Sequence, residues 1–221
     1  MLNDIIDLLG SYGNVYLAGL WGTLWISFVT VVAGTLLGVV LAAVKLSRIR
    51  VLEIIIDIYI EIIRGTPVLL QLYFFWLFLP DVLHLDLSNT TCVVIALIVN
   101  SSAYIAEIIR AGIQAVDIGQ TEAAKSLGMS DFHCLTRIIL PQAVKNILPA
   151  LCNEFVSVIK ETSLASTFFV GELMSQYRTI SGALYMPIEP LVIVGVIYFL
   201  LTFILSKCIS AFERRLKASE R

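Results

Sequence analysis

"TEAAKSLGMSDFHCLTRIILPQA", Thr121 to Ala143, is the stretch on which the reading of this chain turns. Alone it reads as a small soluble helix–turn–helix. Asp117 with Gln120 three residues on resembles a capping box, and Gly128 suits a helix stop. Ser130 is placed to cap a second helix whose apolar face is Phe132, Leu135, Ile138 and Ile139, and Pro141 marks a boundary beyond it. The pattern predicts two short helices meeting at a glycine, a compact knob. Long apolar runs enclose it on both sides.

Those runs set the class of the whole chain. Of its 221 residues, 58% are hydrophobic and 14% charged, against roughly 45–50% and about 25% in soluble domains. The excess gathers in runs near the ~20 residues that an apolar helix needs to cross a bilayer. The first is Tyr16 to Val44, with Gly34 and Gly38 spaced to let another helix approach closely. Next, "VLEIIIDIYIEIIR" carries Glu53, Asp57 and Glu61 as one acidic stripe, "GTP" at 65–67 interrupts, and "VLLQLYFFWLFLP" follows. The upper piece alone is too short to span, so the two are read as one long, broken helix. A third span runs from about Leu87 to Arg110. The fourth, polar and marginal, is "NILPALCNEFVSVIKETSLASTFF", and the fifth is Ile188 to Ser206. The expected fold is all-α, with five transmembrane helices in one domain over 1–221.

Basic residues orient the spans. Lys45, Arg48 and Arg50 follow the first; Arg110, Lys125, Arg137 and Lys145 surround the knob; Lys207, Arg214, Arg215, Lys217 and Arg221 follow the fifth. The N-terminus, "DVLHLDLS" and the 171–187 connection hold only Arg178. This predicts the N-terminus outside, with the C-terminus and the knob in the cytoplasm. The acidic start "MLNDIIDLLG" lacks the basic opening of a cleavable signal peptide, so no secretory cleavage is expected. Cys92, Cys134, Cys152 and Cys208 show no metal-type spacing, and cysteine in apolar runs behaves as a small hydrophobe.

Residue chemistry leaves three readings of the knob open: a connecting loop, a DNA reader, or a docking surface for a cytoplasmic protein. Glu122 and Asp131 offset Lys125 and Arg137, which leaves no basic face for phosphates. A formal net charge of −2 gives no general pull toward nucleic acid either.

A set of motifs along the chain decides among these. "EAA" at 122–124, Gly128 and "IILP" at 138–141 stand at the spacing of the coupling motif in ABC importer permeases. "IRGTP" at 63–67, "NSSAYIAEIIRAGI" at 100–113, "GQTEAAKSLGMS" at 119–130, "LPQA" at 140–143 and "KETSL" at 160–164 follow in order. Together they resemble the polar amino acid branch of that family, the histidine/glutamine-type permeases. Ala111 departs from the second glycine that members often carry beside the arginine.

The resemblance implies a type I ABC importer permease fold in the cytoplasmic (inner) membrane of a prokaryote. It implies that 117–140 is a coupling region, lying between spans three and four, that docks on an ATP-binding subunit through Glu122, Ala123, Ala124 and Gly128. It further implies two ATP-binding subunits, a second permease chain (identical or related), an extracytoplasmic solute-binding protein, and a polar amino acid as cargo. ATP and magnesium would belong to the partner, and no cofactor to this chain. The residues agree: none of the thirteen glycines is followed by lysine, so a GxxxxGK[ST] phosphate loop is absent. No acid/base or nucleophile constellation is evident, so an enzyme is not expected.

Polar side chains within spans usually face a bundle interior or a wet path. Arg64, Asn100, Glu107, Asn153, Glu154, Lys160 and Glu161 are therefore the candidates for the solute path. A zwitterion needs one cationic and one anionic contact, and these residues offer both signs. Duller roles stand beside these. Glu107 and Arg110 are three apart and can pair, Lys160 or Glu161 can snorkel, and Arg64 can bond carbonyls freed at the break. A self-sufficient ion-coupled amino acid transporter, with Glu107, Glu154 and Glu161 as ion sites, is the alternative function. A membrane-tethered transcription regulator is the third class.

Overall fold

The computed structural model describes residues 2–47 and 49–218. Arg48 and Arg221, two of the basic residues counted above, lie outside the described residues, as does the side chain of Lys217. Every regular element among the described residues is helical.

Helix α1 covers Leu2–Leu46 and begins well before the expected Tyr16. Its first turns are held by packing: Leu8 and Tyr16 share a core cluster with Leu173, Ile180, Ile193 and Val194. At 1.5 Å per residue the 45-residue helix is about 67 Å long, twice the ~30 Å hydrocarbon core. Beyond Tyr16 its buried stripe is mostly small residues, among them Gly19, Thr23, Ser27, Gly34, Gly38 and Ala42. That stripe lets α4 (Asn89–Gln114) come close. A Cβ on Gly34 would sit 3.2 Å from Ser101 Cβ, and one on Gly38 would sit 2.8 Å from Ile105 Cγ2. The glycine pair read from the sequence is a helix-packing site.

The broken second segment is sharper than a kinked rod. Helix α2 (Arg50–Gly65) and α3 (Val68–Asp81) meet at 110°. Proline forces the residue before it out of the helical region, and Thr66 is extended at φ −117, ψ 147. Beyond α4 come α5 (Ile118–Ser126) and α6 (Asp131–Cys134), then a π-helical turn (Leu135–Ile139) that leads straight into α7 (Leu140–Glu161). A 3-10 segment, Thr162–Phe168, follows.

The 171–187 region, read as a connection, contains helix α8 (Leu173–Leu184). Leu173 and Ile180 bury into the cluster around Tyr16, which is what holds so short and polar a segment in helical form. Last is α9 (Glu189–Ala218). Helices α1, α4 and α9 are each long and apolar enough to cross a membrane, and the bent α2–α3 pair passes only when taken together. The central core joins α1, α3, α4 and the 3-10 segment, with Ile26, Leu72, Val93, Leu97 and Phe168 packed together.

Candidate functional site

The knob forms as two helices around a tight turn. Asp117 Oδ1 accepts from the Gly119 amide at 2.7 Å, capping α5. The expected capping box is incomplete, because the Gln120 amide oxygen instead accepts from Gln142 Nε2 at 3.4 Å. Gly128 has φ +77, the left-handed region in which a Cβ is disfavoured. Its amide donates to Lys125 O and that of Met129 to Ala124 O, which satisfies two carbonyls at the end of α5. Ser130 Oγ accepts from His133 N as the sequence predicts, at 3.4 Å. Lys125 and Asp131 pair across the turn at 3.1 Å.

The four residues expected to meet a partner do not share one face. Glu122, Ala123 and Gly128 are exposed, but Ala124 is buried at 5%, packed against Cys134 and Ile139. Its small side chain lets α5 approach its own neighbour. The apex instead offers Leu127, 84% exposed, with Phe132 and Ile118 also outward. Pro141 does not end the second helix. A proline ring clashes with the carbonyl four residues back and supplies no amide. One π turn, in which the Leu140 amide reaches Leu135 O, accommodates it without a break.

The other candidates fall into two groups around α4. The first lies at its middle. Asn100 is 1% exposed, and its Nδ2 donates to Gln71 Oε1 at 2.8 Å. Next to it, Ser101 Oγ donates to Glu154 Oε1 at 2.9 Å, so α4 is bonded to α7. Glu154 and Glu161 are half-buried, and Asn153 and Lys160 are exposed beside them. Seven residues is two helical turns, so the two carboxylates lie on one face of α7.

The second group lies two turns further on, about 10 Å away along the axis. Glu107 accepts from Arg110 Nε at 2.9 Å and Nη2 at 2.7 Å. It also has Arg64 Nη1 at 3.5 Å and Lys45 Nζ at 3.8 Å, while Lys45 reaches Asp57 at 2.6 Å. The Arg64 guanidinium lies over the Tyr104 ring, 5.3 Å from its centroid. This charge cluster ties together α1, α2 and α4. Arg64 therefore bonds a carboxylate, while the carbonyl freed at the break, that of Ile63, accepts from Gln71 Nε2 at 2.7 Å.

Gln71 was not among the sequence candidates, although a signal existed. In a helix the Ile63 carbonyl would accept from the amide of residue 67, and that residue is a proline. Glu172 was missed as well. It is fully buried and caps α8, accepting from the Met174 and Ser175 amides at 2.7 and 2.6 Å and from the Tyr198 hydroxyl at 3.0 Å.

Residues 34–218 match the family described as binding-protein-dependent transport system inner membrane component. The chain belongs to that family. Among its relatives is the arginine transport system permease protein ArtQ of Bacillus subtilis (strain 168), 41% identical over 204 residues, which cover 92% of this chain and 93% of ArtQ. The nopaline transport system permease protein NocM of Agrobacterium fabrum is 36% identical over 95% of this chain and 90% of its own length. In three dimensions the chain is similar to one in the crystal structure of an amino acid ABC transporter with histidines. The TM-score is 0.91 and the identity 44%, over 94% of this chain and 96% of that one. An inward-facing crystal form of the MetNI methionine ABC transporter shares the fold, with a TM-score of 0.73 at 17% identity over 91% and 96% of the two chains. Membership makes the chain a membrane component of a transport system, as the ordered motifs implied. Nothing in these relatives favours the ion-coupled transporter or the tethered regulator.

Proposed function

We propose that this permease carries a polar amino acid inward across the cytoplasmic membrane of a prokaryote, driven by ATP that a partner subunit hydrolyses. The observation that carries this reading is the likeness to amino acid permeases along nearly the whole chain. In this reading the fold is that of a type I importer permease. The chain is a single domain with five spans, the N-terminus lies outside, and the C-terminus and the 117–140 coupling region lie in the cytoplasm. Two ATP-binding subunits, holding ATP and magnesium, dock beneath a pair of permease chains, and an extracytoplasmic binding protein delivers the solute.

The exposure of Glu122, Ala123, Leu127 and Gly128 supports a docking surface on the knob. Asn153, Glu154, Lys160 and Glu161 line the path, where the carboxylates meet an ammonium group and Lys160 a carboxylate. Asn100, Arg64 and Glu107, bonded within the chain, hold the helices that frame that path.

The test is uptake by vesicles holding this chain with its ATPase and binding protein, offered a panel of labelled amino acids. ATP-dependent uptake of one or a few of them, lost in Gly128→Asp, is the expected result. Uptake driven by an ion gradient without ATP would overturn the reading.

A further inference from the structure

A backbone group freed by a helix break and packed away from water is costly unless another group bonds it. Of the carbonyls that the α2–α3 break frees, two, those of Ile63 and Thr66, are satisfied by one side chain. Gln71 Nε2 donates to Ile63 O at 2.7 Å, to Thr66 O at 3.2 Å and to Thr66 Oγ1 at 2.9 Å. The Thr66 hydroxyl donates in turn to Ile62 O at 2.9 Å. A side chain from the first turn of α3 thus replaces the amide that Pro67 lacks at the last turn of α2.

The other end of the same amide is committed too. Gln71 Oε1 accepts from Asn100 Nδ2, which fixes which way the Gln71 amide faces and keeps its nitrogen on the break. Asn100 and Ser101 are consecutive on α4 and point about 100° apart. One binds the clamp on the break and the other binds Glu154 of α7. Two hydrogen-bonded links, joined through the α4 backbone, therefore run from the Ile63 carbonyl to the Glu154 carboxylate over four helices, α2, α3, α4 and α7.

We propose that Gln71, oriented by Asn100, is a positioning residue that sets the angle of the α2–α3 break and links it, through α4, to the polar face of α7. The functional half of this rests on the transport reading above. The geometric half does not.

The test is an intrachain distance between spin labels at Leu52 and Leu77, with one labelled copy per assembled transporter. Both positions are exposed, one on each side of the break. The wild type gives one narrow distance. Gln71→Met, close in volume but without the amide, broadens it, and Asn100→Ala does the same by releasing the amide's orientation. The double variant is no broader than Gln71→Met alone, because both changes act through one hydrogen bond. The maximal uptake rate falls about tenfold in Gln71→Met, the order expected when a buried hydrogen-bonded pair loses a member. The concentration of loaded binding protein giving half that rate is unchanged. A wild-type distance in either single variant, or broadening that adds in the double, overturns the proposal. If Gln71→Met does not reach the membrane, Asn100→Ala decides the same question. Wild-type uptake that needs no ATP would overturn the transport reading and leave these distances standing.

Discussion

The Ser101 hydroxyl donates to Glu154 Oε1 over 2.9 Å, and this bond joins α4 to the face of α7 that also carries Glu161. Two substitutions separate what the bond and the charge contribute. Glu154→Gln keeps an acceptor for Ser101 and removes the charge. Glu154→Ala removes both. We expect amino acid uptake to fall in each, and the alanine variant to melt earlier than the glutamine one, by the ~0.5–1.5 kcal/mol of the neutral hydrogen bond that glutamine retains. Uptake and thermal midpoints of the purified assembly check this. Wild-type uptake in Glu154→Gln would take the charge out of the path. Normal transport kinetics in Glu161→Ala and Lys160→Ala would do the same for those two.

Glycines on α1 are not equivalent. Gly38→Ala drives a Cβ into Ile105, with only 2.8 Å available, and is expected to cost about 1–3 kcal/mol as an overpacked contact. Gly10 has nothing within 4 Å of its missing Cβ, so Gly10→Ala should be neutral or gain up to about 1 kcal/mol of helix propensity. Thermal unfolding of the two variants in one detergent compares them. Equal midpoints would mean that α1 and α4 are not closely packed at Gly38.

Glu172→Ala strips the cap from α8 and removes one partner of the Tyr198 hydroxyl, which also has the Thr23 and Thr162 side chains within reach. A lost cap costs about 1 kcal/mol and a lost hydrogen bond about 1 kcal/mol, so a loss of roughly 2 kcal/mol is expected. Glu172→Gln, whose amide oxygen still accepts, should lose less than half of that. The ordering of the three midpoints is the measurement, and a glutamine variant no better than alanine would contradict the capping role.

At the knob, stability and coupling separate. Gly128→Ala strains a backbone at φ +77 and should cost about 1 kcal/mol. Leu127 is 84% exposed, so Leu127→Asp should leave the melting of the permease unchanged. In the proposed assembly the same variant should uncouple ATP hydrolysis from uptake. Full coupling in Leu127→Asp, with normal assembly, would show that the apex does not meet the ATPase.

How much of this was legible depended on whether the cause was local. Gly34 and Gly38 could be read as a close-approach pair because small residues four apart share one face of a helix and leave room for a neighbour there. The turn at Gly128 and the cap at Ser130 could be read because both are short-range backbone chemistry. Gln71 was readable in principle, from the amide that Pro67 cannot offer to Ile63. Helix α8 was not, since twelve mixed residues carry no span signal and are held by contacts with Tyr16 and Leu8, far away in sequence. The inward turn of Ala124 was hidden for the same reason: which face of a nine-residue helix is covered is decided by Cys134 and Ile139.

The π turn at Leu135–Ile139 has a mechanical consequence. Because it absorbs Pro141 without a break, the backbone from Asp131 to Glu161 is a single helical rod, about 45 Å long at 1.5 Å per residue. Two prolines interrupt its amide ladder: Pro141, at the exit of the π turn, and Pro149, whose ring cannot donate to the Lys145 carbonyl. In the proposed assembly, a displacement of the exposed Phe132 end would be carried along the rod toward Asn153, Glu154 and Glu161, with Pro149 as the point where the rod is most readily bent.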